Sequence, residues 1–147
     1  MKTILPSKRR VESEVERVHE FIASWFRGET ERDDAQFDRR FGDRMLPGLI
    51  NIQPNGRTLT RDELVESIRD AFGTNPEFQI AISDVEVRWM DDRPGHLLAT
   101  YVERQTGARN TIPSSNSRIS SVLFRFDATR DRLLWLHIHE TSLDTSG

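Results

Sequence analysis

The stretch Leu133-Leu134-Trp135-Leu136-His137-Ile138-His139-Glu140-Thr141-Ser142 changes character at every second residue, and its reading decides the fold. Successive side chains of an extended strand point to opposite faces. Trp135, His137 and His139 are therefore expected on one face, and Leu134, Leu136 and Ile138 on the other. Three earlier runs share this period: Phe78 to Met90, His96 to Gln105 and Ser117 to Phe126. The first of these slips parity between Ile82 and Val85, which predicts a bulge near Ser83-Asp84. Register can be tested on paper, because a one-residue slip puts the apolar set on the wrong side. With Glu103 opposite Arg118, Tyr101 meets Ser120, Ala99 meets Val122 and Leu97 meets Phe124. Continued strict alternation pairs Phe124 with Trp135, Val122 with His137 and Ser120 with His139. One face then grades from Leu97, Ala99, Val122, Phe124 and Trp135 to a polar end of Tyr101, Glu103, Arg118, Ser120, His137 and His139. The reverse face collects Leu98, Val102, Ile119, Leu123, Leu134, Leu136 and Ile138, too apolar to leave in water.

Upstream the period becomes helical. Val11, Val15, Val18, Ile22, Trp25 and Phe26 recur at spacings of three and four and form one stripe, with Ser7 as N-cap and Gly28 as left-handed stop. His19 falls at the edge of this stripe and is read as incidental, as is His96 after the Asp91 to Gly95 turn. A second, short helix is expected to start at the Thr30-Glu31-Arg32-Asp33 box and to reach Gly42. Leu49 to Ile52, the Pro54-Asn55-Gly56 turn and Arg57 to Leu59 predict a hairpin. Thr60-x-x-Glu63 then caps a third helix carrying Leu64, Val65, Ile68 and Phe72. The order predicts an α+β domain in which a curved antiparallel sheet wraps the N-terminal helix, with two further helices.

The 147 residues suit a single domain spanning 1–147, with its core at about 7–143. Hydrophobic residues make up 35% and charged residues 31% of the chain, and the longest apolar run, Leu133 to Leu136, is far short of the ~20 residues of a membrane-spanning helix. No signal peptide is read at the N-terminus. The absence of cysteine excludes disulfides and thiolate chemistry and makes the cytoplasm the expected compartment. A net charge of −3 without long blocks of one sign argues against nucleic acid or membrane partners. The GxGxxG, GxxxxGK[ST] and GxSxG signatures are missing, and no cofactor is expected.

The helical start, the hairpin before a capped helix, the Thr100-Tyr101-Val102-Glu103 strand, the Asn116 to Ser120 strand and the closing Trp135 to Glu140 strand resemble the nuclear transport factor 2-like superfamily, also called cystatin-like or SnoaL-like. The closing strand, with its His-x-His, is also similar to that of the association domain of calcium/calmodulin-dependent protein kinase. The resemblance implies a cone-shaped α+β barrel, a pocket between helices and sheet, and dimerisation through the back of the sheet. It assigns no catalytic residue, because folds of this kind carry many activities and none.

Tyr101, Glu103, Arg118, Ser120, Trp135, His137 and His139 are thus the expected ligand-binding positions, with His137, Glu103 and Tyr101 as catalytic candidates. His137 and His139 at i and i+2 suit a metal with Glu103, but without a third histidine or an HExxH pattern no metal is expected, and hydrogen-bonded rings are the simpler reading. Glu140 is expected on the opposite face. Glu103 and Arg118 are read first as a cross-strand ion pair. Arg39, Arg40 and Arg44 are read as a solvated helix end, and Asn110 to Asn116 as a polar loop able to act as a lid. The leading expectation is a small-molecule-binding homodimer, paired through the outer sheet face, that takes a small organic acid or carbonyl compound. The alternatives are a cofactor-free isomerase or dehydratase with a His or Glu base, and an oligomerisation domain.

Overall fold

The structure, a computed structural model, describes residues 4–93, 95–108 and 115–143. Helix α1 spans Lys8–Arg27, α2 Asp34–Arg40 and α3 Arg61–Asp70, with a 3-10 turn at Gly42–Arg44. The strands are β1 Met45–Ile52, β2 Thr58–Thr60, β3 Gln79–Asp91, β4 His96–Thr106, β5 Asn116–Asp127 and β6 Arg132–Ser142. They form one curved sheet in the order β2-β1-β6-β5-β4-β3. The sheet is mixed rather than wholly antiparallel, because β1 joins β6 in parallel across the long connection that carries α3 and the hairpins.

The ends of α1 are set by its flanking residues. The Ser7 side chain accepts the Arg10 amide, and Gly28 adopts φ 72°, so that its own amide and that of Glu29 close back onto the carbonyls of Trp25 and Ser24. A Cβ at position 28 would also come within 3.1 Å of the Gly73 Cα. Gly28→Ala is therefore expected to cost about 1–2 kcal/mol, chiefly the left-handed backbone penalty, measured as a shift in urea midpoint at unchanged m. A wild-type midpoint would mean that this end of α1 reshapes freely.

The α1 stripe buries Val11, Val15, Val18 and Trp25 completely, and with them Phe21, which the stripe had not included. Phe21, Trp25, Phe37, Phe41 and Phe72 form one chain of ring contacts between α1, α2 and the residues after α3. Helix α2 begins later than its expected box, because Asp33 rather than Thr30 caps it, accepting from the Ala35 amide. Thr30 instead accepts from the Gln36 side chain. At α3 the expected capping box of Thr60 and Glu63 is present in full. The bulge expected in β3 is there too, with Asp84 at φ 54° and a register shift between Ser83 and Glu86.

Strands β4 and β5 hold the register worked out from the sequence: Glu103 opposite Arg118, Tyr101 opposite Ser120, Ala99 opposite Val122 and Leu97 opposite Phe124. Phe124 meets Trp135 as expected, but the next partner of β5, Leu123, meets His137. Leu136 is the extra residue of a bulge, and beyond it every side chain of β6 changes face. Ile138 then pairs with Val122 and Glu140 with Ser120, both toward the helix, while His137 and His139 turn outward. Neighbouring β1 shifts its register with β6 in the same region, between Met45 and Ile50. The bulge puts Ile138, 8% exposed, into the core where a straight strand would have put an imidazole. Burying an isoleucine side chain is worth about 1.5–3 kcal/mol, and a histidine without partners would cost free energy in the same place.

Candidate functional site

Between α1, α3 and the concave face of the sheet lies a cavity of about 150 Å3. Ile22, Phe26, Phe41, Met45, Leu64, Ile68, Phe78 and Ile80 supply most of its apolar wall. Its polar end gathers His19 from α1, Asn51 from β1, Tyr101, Glu103 and Gln105 from β4, Arg118 from β5 and Glu140 from β6.

Of the residues singled out in the sequence, Tyr101, Glu103, Arg118 and Trp135 line this cavity. Ser120 is fully buried opposite Tyr101, beside the phenol. His137 and His139 do not line it. They sit on the outer face with ring centroids 6.5 Å apart, and no group of three metal-ligating side chains occurs among the described residues. The lid expected from Asn110 to Asn116 lies mostly outside the described residues, in 109–114.

His19 and Glu140 take the places expected for the two β6 histidines. His19 is 7% exposed as a residue, with Nδ1 2.7 Å from the Val15 carbonyl and Nε2 3.1 Å from Glu103 Oε1. With Glu103 ionised both neighbours are acceptors, and the geometry suits a doubly protonated ring facing a carboxylate. Burial by itself lowers the His19 pKa, but Glu103, with the Val15 carbonyl and Glu140, outweighs it and the net shift is upward from 6.5. Burial by itself raises Glu103, and here His19 first, then Arg118, turns the net shift downward. Gln105 also donates to the second Glu103 oxygen. The Tyr101 ring meets the imidazole edge-on at 5.3 Å, and its phenol is pushed well above 10.0 by burial and by the two nearby carboxylates.

Arg118 pairs not with Glu103, its cross-strand neighbour, but with Glu140, at 3.3 Å. The bulge explains this change of partner, because it turns the Glu140 carboxylate inward beside the guanidinium. Asn51 Nδ2 donates to the other Glu140 oxygen at 3.3 Å. Glu140 is nonetheless raised from 4.5, first by burial and then by Glu103. Asn116 joins the two halves, accepting from Arg118 and donating to Gln105. A continuous chain thus runs His19–Glu103–Gln105–Asn116–Arg118–Glu140–Asn51. Beside it, Glu14 accepts from the Trp135 indole at 2.9 Å and from Arg44 at 2.6 Å, fixing the tryptophan at the cavity wall. Arg44, read as part of a solvated helix end, is thereby tied to α1.

His19 had a signal in the sequence: it stands four residues after Val15 and three before Ile22, within the apolar spacing itself. Glu140 had none, because only the bulge at Leu136 brings it inside.

No protein-family model and no curated protein matches the sequence. Solved structures do match. A nuclear transport factor 2-like protein of unknown function from Pseudomonas aeruginosa is 24% identical, covering 92% of this chain and 99% of that one at a TM-score of 0.79. A protein of the same group from Streptomyces avermitilis, provisionally named a dehydratase, is 14% identical over 92% and 95% of the two chains, with a TM-score of 0.66. A Thiobacillus denitrificans protein, provisionally named a calcium/calmodulin-dependent protein kinase type II association domain, is 14% identical over 97% and 100%, with a TM-score of 0.61. The chain has the nuclear transport factor 2-like fold, also described as cystatin-like. At these identities the likeness establishes the fold alone.

Proposed function

We propose that this domain binds a small molecule in the cavity under α1, apolar body against Phe26, Ile68 and Phe78 and a hydrogen-bonding group toward Tyr101, Arg118 and Glu140. The observation that carries this reading is the cavity itself: an apolar wall with a few converging polar groups at one end is the usual form of a ligand site. Its volume suits a compound not much larger than benzene, for which about 150 Å3 suffices. A ligand at about 100 times its Kd stabilises the folded state by about 2.7 kcal/mol, so thermal-shift screening of small carbonyl, hydroxyl, carboxyl and amine compounds detects it. Hits are expected to lose their effect in Ile22→Trp, which fills the cavity. Hits that keep their full effect there, or a screen with none, would contradict the reading.

A second reading is favoured by the two carboxyl groups, whose surroundings push their proton affinities in opposite directions. Such separation suits acid–base work. Here Glu140, not His137 or Glu103, is the proton carrier of a cofactor-free isomerase or dehydratase, and Tyr101 the donor to a developing oxyanion. The provisional name of the Streptomyces avermitilis neighbour points the same way. Glu140→Gln is expected to lower such an activity by at least about 100-fold at unchanged folding.

The proposal includes a homodimer. Trp89, Leu98 and Leu123 lie in one cross-strand row of the outer face, with Val102 and Ile119 in another, and Trp89 is 52% exposed. No helix among the described residues covers this face, and a second copy of the same chain buries it most simply. Pure assembly is the weaker reading, since a scaffold has no need of an unfilled cavity. No helix among the described residues is long and apolar enough to cross a membrane, and a cysteine-free chain fits the reducing cytoplasm.

A further inference from the structure

Two cations and two carboxylates stand among the residues that line the cavity: His19 and Arg118, Glu103 and Glu140. They are already paired with one another. His19 meets Glu103 at 3.1 Å with side chains 9% and 5% exposed, and Arg118 meets Glu140 at 3.3 Å with side chains 17% and 13% exposed. Little water reaches either pair, so breaking one leaves a charge without compensation.

We propose that this pocket selects an uncharged ligand and discriminates against carboxylate and ammonium compounds of the same shape. The inference rests on the ligand-binding reading and narrows it, since a small organic acid was among the expected ligands. A carboxylate can reach the Arg118 guanidinium only by displacing Glu140, and it then stands beside two carboxylates. An ammonium group can reach Glu140 or Glu103 only by displacing Arg118 or His19. A neutral carbonyl or ether oxygen displaces nothing.

The test uses three probes that share a ring: cyclohexanone, cyclohexanecarboxylate and cyclohexylammonium, titrated at pH 7 into the 15N-labelled protein and followed by amide shifts. Cyclohexanone is expected to bind at least about 10-fold more tightly than either charged probe, because like charges brought together at a closed site are strongly unfavourable. Glu140→Gln leaves Arg118 without its counter-charge, and in this variant cyclohexanecarboxylate is expected to gain at least about 10-fold. Equal or tighter binding of a charged probe by the wild-type protein would overturn the selectivity and leave the ligand-binding reading standing. An unchanged carboxylate affinity in a folded Glu140→Gln protein would also overturn it. Binding of none of the three would overturn both. Should Glu140→Gln fail to fold, the wild-type comparison decides alone.

Discussion

Glu103→Ala is expected to lower the folding free energy by about 3–5 kcal/mol, the usual penalty for removing one member of a buried ion pair. What remains is an imidazolium on α1 that must be neutralised or hydrated inside the core, with its Nδ1–H still committed to Val15. The double change His19→Leu with Glu103→Leu removes both charges and is expected to cost far less than the single one. The pair also sets a pH window. His19 has its proton affinity raised by folding, so its stabilisation is whole below 6.5 and is lost as pH rises through the higher folded value. Glu103 is lowered, so its stabilisation is whole above 4.5 and is lost as pH falls through the lower folded value. The stability difference between wild type and the double variant is therefore largest between these two limits and shrinks on both sides. Glu140, raised by folding, acts in the opposite sense to Glu103; its burial is common to both proteins, and the part of its shift that Glu103 causes is lost in the double variant. Urea denaturation across a pH series measures all of this. A loss below about 1 kcal/mol in Glu103→Ala would mean that the pair is hydrated like a surface one.

Leu123→Glu is expected to convert a dimer into a monomer. Leu123 lies in the middle of the outer face, with Leu98 on one side and His137 on the other. A carboxylate there, buried in the middle of an apolar interface, opposes association, while a monomer leaves it in water at little cost. Sedimentation is expected to show twice the 17.1 kDa chain mass for wild type and the single mass for the variant. A wild-type monomer, or a variant that stays dimeric, would place the interface elsewhere or nowhere.

The elements of this fold were legible wherever local chemistry decides them. The α1 stripe, its two caps, the Thr60 box and the β4–β5 register all follow from spacing and from turn residues. The lining of the cavity was legible on β4 and β5 and not on β6, and one residue accounts for the difference. Strict alternation places His137 and His139 inside, yet core packing admits Ile138 once Leu136 is looped out, and Glu140 follows. Nothing within Trp135 to Glu140 announces this, because the gain arises across the sheet, where Ile138 packs beside Val122 and Asn51. His19 was passed over for another reason: a polar residue on an apolar stripe was read as its edge, although its spacing from Val15 and Ile22 is that of a buried position. The lesson for a polar residue within a stripe is to seek its partner across the core, in this case Glu103.

The claim on which the account turns is that the polar end of the cavity is closed by two internally neutralised pairs, with His19 as one of the cations. Ring nitrogens of a 15N-labelled sample, with His19 assigned by its loss in His19→Gln, report this directly. At pH 7 both His19 nitrogens are expected to carry protons, with Nε2–H bonded to Glu103 and exchanging slowly. A neutral His19 ring with one bare nitrogen at that pH would contradict the pairing, and with it the charge balance of the cavity.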